Sequence, residues 1–179
     1  MTTTYYTATT LDGFIADEHD SLDWLFKQDV DQEGAMNYTS FYADVGAVVM
    51  GRTTYEWVRD QLEVSGEGWA YDVPTWVMTH AELTPIDGAD IRFARDDVAA
   101  VHAAMTEAAP GKNLWVAGGG DLAAQFAEAG LLDEVVVSIA PVTLGAGRPL
   151  FPRRFDLELL EVERNRAFVC ARYSVVAPE

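Results

Sequence analysis

The chain has little cysteine, little positive charge and no long apolar run, and each shortage excludes a class. A single cysteine, Cys170, rules out an internal disulfide framework and any cysteine-built zinc site. Twelve Lys and Arg face 29 Asp and Glu, a formal net charge of −17. That balance argues against wholesale binding of DNA or RNA, which needs a basic surface. Apolar runs are far too short to cross a bilayer, and the opening MTTTYYTATTLDG has neither a basic nor a leucine-rich segment. No linker, repeat or low-complexity stretch interrupts the chain. What is present is 49% apolar and 11% aromatic residues over 179 positions, enough for one domain with a real core. The expectation is one domain over residues 1–179 in a soluble, cytoplasmic protein with no nucleic-acid or membrane partner. The acid excess is concentrated in residues 1–97, where few arginines occur, so Arg52 stands out.

Short apolar segments alternate with helical ones. Thr3–Ala8, Val45–Met50, Thr75–Thr79, Asp90–Ala94, Leu114–Ala117 and Glu134–Val142 read as strands. Val45–Met50 is continuously apolar, as in a strand buried on both faces. Leu157–Glu163 and Phe168–Val176 read as a closing hairpin around Arg164-Asn165-Arg166. Helices are expected near Glu33–Ala43, after Thr53, over Asp97–Ala108, and over Leu122–Ala129 with Asp121 as N-cap. The pattern predicts an α/β domain with a mostly parallel sheet and an antiparallel edge.

Two strand-to-helix junctions carry chemistry. In Val48-Val49-Met50-Gly51-Arg52-Thr53-Thr54-Tyr55-Glu56, an apolar strand runs into Thr53-x-x-Glu56, a capping-box pattern. A helix start offers free N–H groups and a positive dipole end, Thr53 and Thr54 add hydroxyls, and Arg52 adds a guanidinium fork; together they suit a phosphate. The alternative is a capped helix whose Arg52 pairs with a surface acid. In Leu114-Trp115-Val116-Ala117-Gly118-Gly119-Gly120-Asp121-Leu122, three glycines let a ligand lie against bare backbone, or let the next helix pack closely on the sheet. Neither is a Rossmann fingerprint, since position 123 is alanine, nor a Walker A loop. Two phosphate-type sites at neighbouring junctions point to a ligand such as NADPH.

These motifs, in order, resemble the dihydrofolate reductase-like superfamily, and within it the RibD C-terminal branch. Thr9-Thr10-Leu11-Asp12-Gly13-Phe14-Ile15-Ala16 resembles the loop after the first strand, and Met50–Glu56 the "MGR-x-T-Tyr/Trp-E" motif. Val116–Gly120 resembles the late glycine loop, and Pro141–Gly147 the "P-x-x-L-G-x-G" segment. The resemblance implies a three-layer α/β fold with an eight-stranded, mostly parallel sheet and a C-terminal antiparallel hairpin, binding NADPH at the carboxyl ends of its strands. It implies nicotinamide contacts at Ala8, Ile15 and Ala16, and phosphate contacts at Gly51, Arg52, Thr53 and Thr54. Thr79 and His80 would lie by the adenosine half, although a histidine after a strand is also an ordinary surface residue. Gly118, Gly119, Gly120, Asp121 and Leu122 would cradle the pyrophosphate.

The reaction implied is hydride transfer from NADPH to a small heterocycle, as in 5-amino-6-(5-phosphoribosylamino)uracil reductase of riboflavin biosynthesis or dihydrofolate reductase. A non-catalytic nucleotide- or ligand-binding module on the same fold is the alternative. For the proton, Asp29 stands five residues after Trp24, a folate-reductase spacing, and Asp12 and Asp23 are the other candidates. Trp24, Phe26 and Tyr55 are candidates to stack on a flat substrate or to fill the core. Arg148, Arg153 and Arg154 would meet a substrate phosphate or pair with acids. No H-x-E…P-C-x-x-C deaminase motif is present, so a stand-alone reductase domain is expected. A homodimer is expected from the branch, with the apolar hairpin as interface.

Overall fold

The structure is a computed structural model that describes residues 1–176. Six parallel strands form the centre of the sheet: β1 (Thr3–Thr10), β3 (Val45–Gly51), β4 (Thr75–Met78), β5 (Ile91–Ala94), β6 (Asn113–Gly118) and β7 (Glu134–Ala140). The hairpin β9 (Leu157–Asn165) and β10 (Phe168–Val175) adds an antiparallel edge, giving the order β5-β4-β3-β6-β1-β7-β10-β9. The expected mostly parallel eight-stranded sheet with an antiparallel hairpin is thus what the chain forms. A separate two-stranded ribbon pairs β2 (Phe14–Ala16) with β8 (Arg148–Pro149). Two residues of strand leave no periodic pattern, so this ribbon was not legible in the sequence.

Helices cover both faces. α4 (Val98–Ala108) and α5 (Gly120–Glu128) bury Val101, Met105 and Phe126 against Tyr5, Val49 and Val116. On the other face, α3 (Arg52–Ser65) and α2 (Tyr38–Tyr42) pack Tyr55 and Phe41 against Val48, Met50 and Trp115. A one-turn helix, α1 (Asp23–Phe26), places Trp24 over Ala140, Phe168 and Cys170. Asp97 caps α4 by accepting from the Ala100 N–H at 2.8 Å, as an acid before an apolar run should.

Several local expectations need correction. The helix expected over Glu33–Ala43 is confined to Tyr38–Tyr42. Buried Asn165 donates to the Asp31 and Ala35 carbonyls and accepts from the Asp31 N–H, holding residues 31–35 in turns against the hairpin. Asn165 is therefore a strand residue, and the turn is Arg166-Ala167, with Arg166 at φ +52°. The capping box at Thr53 does not form: Gly51 is the N-cap of α3, and no side chain caps it. Asp121 lies inside the first turn of α5, because Gly119, at φ +92°, is the N-cap.

Candidate functional site

Strand order sets the position of the site. The chain leaves β1, builds β3, β4 and β5 outward, then returns to insert β6 between β3 and β1. At such a reversal the loops beyond the carboxyl ends part, leaving a crevice. The register pairs Met50 with Gly118, after an irregularity between Val49 and Met50, so α3 and α5 start side by side. Between them lies a cleft of about 420 Å³, within the range of ligand sites, roughly 300–1,000 Å³.

From α3 the cleft takes Thr53, Thr54 and Trp57, one face of its first turns. From the end of β6 and the start of α5 it takes Ala117, Gly118, Gly119, Gly120 and Asp121. Thr7 in β1 contributes to it, as do Ile15, Ala16, Asp20 and Leu22 between β2 and α1. Arg148, Pro149 and Pro152 complete the wall. Neither helix start has a side-chain cap, so the first-turn N–H groups of both are left for a ligand.

The glycines have separate reasons. A Cβ on Gly118 would run into the Thr54 side chain, and one on Gly120 into the carbonyl oxygens of Pro149 and Leu150. Close packing explains those two, while Gly119 supplies the left-handed turn that starts α5. The structure therefore joins both readings of the run: bare backbone at the cleft, and a helix packed tightly beside it.

Of the residues the resemblance assigns to the cofactor, Ile15, Ala16, Thr53, Thr54 and Gly118–Asp121 meet in this cleft. Ala8 packs instead beside Trp24 on the opposite face of the sheet, and Leu122 is buried in the main core. Gly51 caps α3 without lining the cleft. Thr79 is buried, its hydroxyl accepting from the Ala81 N–H, and His80 is exposed; neither lines the cleft. Arg52 also lies outside the lining, its Nε donating to Glu56 at 3.1 Å along the helix. The free guanidinium fork expected at this junction is thus an i,i+4 ion pair.

The three acids considered as proton donors are elsewhere. Asp12 accepts from the Thr10 hydroxyl and from the Leu144 and Gly145 N–H groups, stapling the β1–β2 loop to residues 144–145. Those bonds, the Thr10 hydroxyl foremost, push its carboxyl pKa down, so it stays ionised and has no proton to donate. Asp23 is exposed in the first turn of α1, and Asp29 is exposed beside the hairpin turn, where its carbonyl accepts from the Ala167 N–H. The carboxylates that do line the cleft are Asp20 and Asp121.

Both are paired with arginines. Arg148 donates to Asp20 through Nε at 2.6 Å and Nη2 at 3.0 Å, and Arg153 reaches Asp121 at 2.9 Å and Glu128 at 3.2 Å. Arg154 pairs with Asp156. The arginine cluster is thus committed to acids rather than free for a substrate phosphate.

The aromatic candidates also divide. Tyr55 is fully buried, its hydroxyl donating to the Thr84 carbonyl at 2.8 Å, and is core. Trp24 is core as well. Phe26 is 67% exposed, its ring stacked on Trp57 at 6.3 Å and 15°. Trp57 was not singled out in the sequence, yet it falls three residues after Thr54, the spacing that puts both on one helix face. Among the described residues no cluster of His, Cys, Asp and Glu could hold a metal ion, and no helix is long and apolar enough to cross a membrane.

Residues 2–170 match the RibD C-terminal domain family. The chain is 34% identical over 166 residues to the uncharacterized protein YwjB of Bacillus subtilis strain 168, covering 93% of this chain and 91% of that one. In three dimensions it resembles a protein of Shewanella sp. PV-4 provisionally described as a riboflavin biosynthesis protein. That match has TM-score 0.81 and 24% identity, and covers 98% of this chain and 99% of that one. A Thermotoga maritima diaminohydroxyphosphoribosylaminopyrimidine deaminase/5-amino-6-(5-phosphoribosylamino)uracil reductase matches with TM-score 0.65 and 17% identity, over 98% of this chain and 56% of that one. At those identities the two structures show the fold alone.

Proposed function

We infer that this chain, which belongs to the RibD C-terminal domain family, is an NADPH-dependent reductase transferring hydride to a small heterocycle. The reaction type is that of 5-amino-6-(5-phosphoribosylamino)uracil reduction or dihydrofolate reduction. One observation carries the reading: two uncapped helix starts converge on one cleft across bare glycine backbone. First-turn N–H groups of α3 and α5, with the Thr53 and Thr54 hydroxyls, form a donor set suited to a pyrophosphate. Asp20 and Asp121 would oppose an anion there, but each is held by an arginine. Ile15, Ala16 and Leu22 offer an apolar wall for a flat ring. When bound, the reduced nicotinamide supplies the hydride; the chain holds it in register and excludes water.

The Arg52–Glu56 pair is exposed, and such i,i+4 pairs contribute only about 0.3–0.5 kcal/mol. Arg52 is therefore free to swing onto a phosphate at the start of α3. Arg52→Ala should raise KM for NADPH about tenfold, as read from loss of reduced-nicotinamide absorbance with a panel of heterocycles. Calorimetry showing no NADPH binding would overturn the reductase reading. Binding without turnover across pterin, aminopyrimidine and flavin substrates would decide for a non-catalytic ligand-binding module. That second reading is favoured by the ion pairing of both cleft carboxylates, which leaves neither as a ready acid.

The reading extends to a homodimer in the cytoplasm. Register places Leu157, Leu159, Val162 and Val169 on one face of the hairpin, all exposed, while Glu158, Glu161 and Glu163 occupy the other. β9 is the outermost strand, and a two-fold axis beside it would let the same patch cover itself. Light scattering should give twice the chain mass of 19.7 kDa, and Leu159→Glu should give the monomer. A wild-type monomer would refute the interface.

A further inference from the structure

We propose that the cleft selects a planar heterocycle that carries no phosphate, gripped by the Trp57 and Phe26 rings. The claim rests on the reductase reading for its name as substrate, but the ring site stands on its own geometry.

Trp57 lines the cleft from α3, and Phe26 stands opposite on α1. The Phe26 N–H donates to the Leu22 carbonyl, so its ring lies one turn beyond Leu22, itself a wall residue. The two rings are parallel within 15°, with centroids 6.3 Å apart. Phe26 leaves 67% of its surface in water. An aromatic ring at the rim of a ligand cleft, aligned with a ring inside it, is a stacking platform. A flat π-system laid along the pair covers both rings and removes that apolar surface from water.

Charge decides the rest. A phosphoribosyl group needs a free cation, and the cleft wall holds one guanidinium, that of Arg148. Arg148 is engaged through two bonds to Asp20, a closed fork, whereas Arg52 makes a single bond to Glu56. Arg153, next to wall residue Pro152, bridges two acids, and Arg154 is paired with Asp156. Lys27, the residue after Phe26, is exposed at the end of α1 and outside the wall. With the helix-start donors taken by the cofactor's own phosphates, a second anion would meet no free cation on the wall and a protein of net charge −17.

Riboflavin and flavin mononucleotide test this directly, since they share one planar ring and differ by a phosphate. Titrated by flavin fluorescence, riboflavin should bind with and without NADP⁺, and with NADP⁺ present it should bind about tenfold more tightly than flavin mononucleotide. Phe26→Ala and Trp57→Leu should each weaken riboflavin about tenfold, whereas Phe26→Tyr keeps the affinity. In Phe26→Ala the melting temperature and calorimetric NADP⁺ affinity should shift far less than the ring affinity. Tighter binding of the phosphorylated ring, no binding of either ring, or unchanged ring affinity in folded variants overturns the proposal. Because the arm without NADP⁺ needs no cofactor, loss of NADP⁺ binding alone would defeat the reductase reading and leave the ring site standing.

Discussion

Gly120→Ala should lower the unfolding free energy by about 1–3 kcal/mol and abolish NADPH binding. The added Cβ would meet the carbonyl oxygens of Pro149 and Leu150. Those are backbone atoms, and they are anchored: Pro149 pairs with Phe14 in the β2–β8 ribbon, and the Leu150 N–H donates to the Gly13 carbonyl. Relief requires the start of α5 to back away from that ribbon, which opens the cleft between them and misaims the first-turn N–H groups. Urea unfolding and calorimetry with NADPH read the two effects separately. Gly68→Ala is the matched control for stability, because its Cβ would meet nothing within 4 Å and it lies outside every helix and strand. A Gly120→Ala protein as stable as wild type and binding NADPH normally would show that the packing is softer than the structure indicates.

Arg148→Ala should weaken NADPH binding about tenfold or more, and Asp20→Asn in the same chain should restore most of it. Removing the guanidinium leaves the Asp20 carboxylate uncompensated on the wall of a cleft that has to accept a polyanion. The double variant removes both the pair and the repulsion. If Arg148 contacted the cofactor's phosphates itself, the double variant would stay as weak as the single one. The cycle therefore separates neutralisation from direct recognition, read as NADPH dissociation constants at one fixed ionic strength.

Sheet strands were the most legible part of the chain, because β3, β6 and β7 are short, largely apolar runs of strand length, rich in valine. The two strand-to-helix junctions were legible for the same reason, as each apolar run ends in glycine. Helix starts were less so. Thr53 and Asp121 are good caps on composition, but glycine took both N-cap positions, Gly119 with a positive φ that glycine favours and Gly51 on ordinary extended backbone.

Side-chain roles at the site were the least legible. Glu56 was available to Arg52 as an i,i+4 partner, but sequence alone does not decide between that pair and a ligand, since the guanidinium is exposed. Asp12 and Asp29 stand at positions that suit a proton donor, yet one staples a loop and the other sits by the hairpin. Asp20, Arg148 and Trp57 became site residues only through contacts across the fold, the Asp20–Arg148 pair spanning 128 residues of sequence.

By itself the sequence determined the class of fold, the order of strands and helices along the chain, and the two glycine junctions where an anion could lie. These follow from local periodicity and backbone freedom, which each segment carries with it. Tertiary structure alone decided that both junctions open on one cleft, because β6 inserts between β3 and β1 and the Met50–Gly118 register levels their ends. It also decided which charges remain free there. In a chain of net charge −17, the few arginines near the cleft are spent on neighbouring acids, and only the folded arrangement brings those neighbours together.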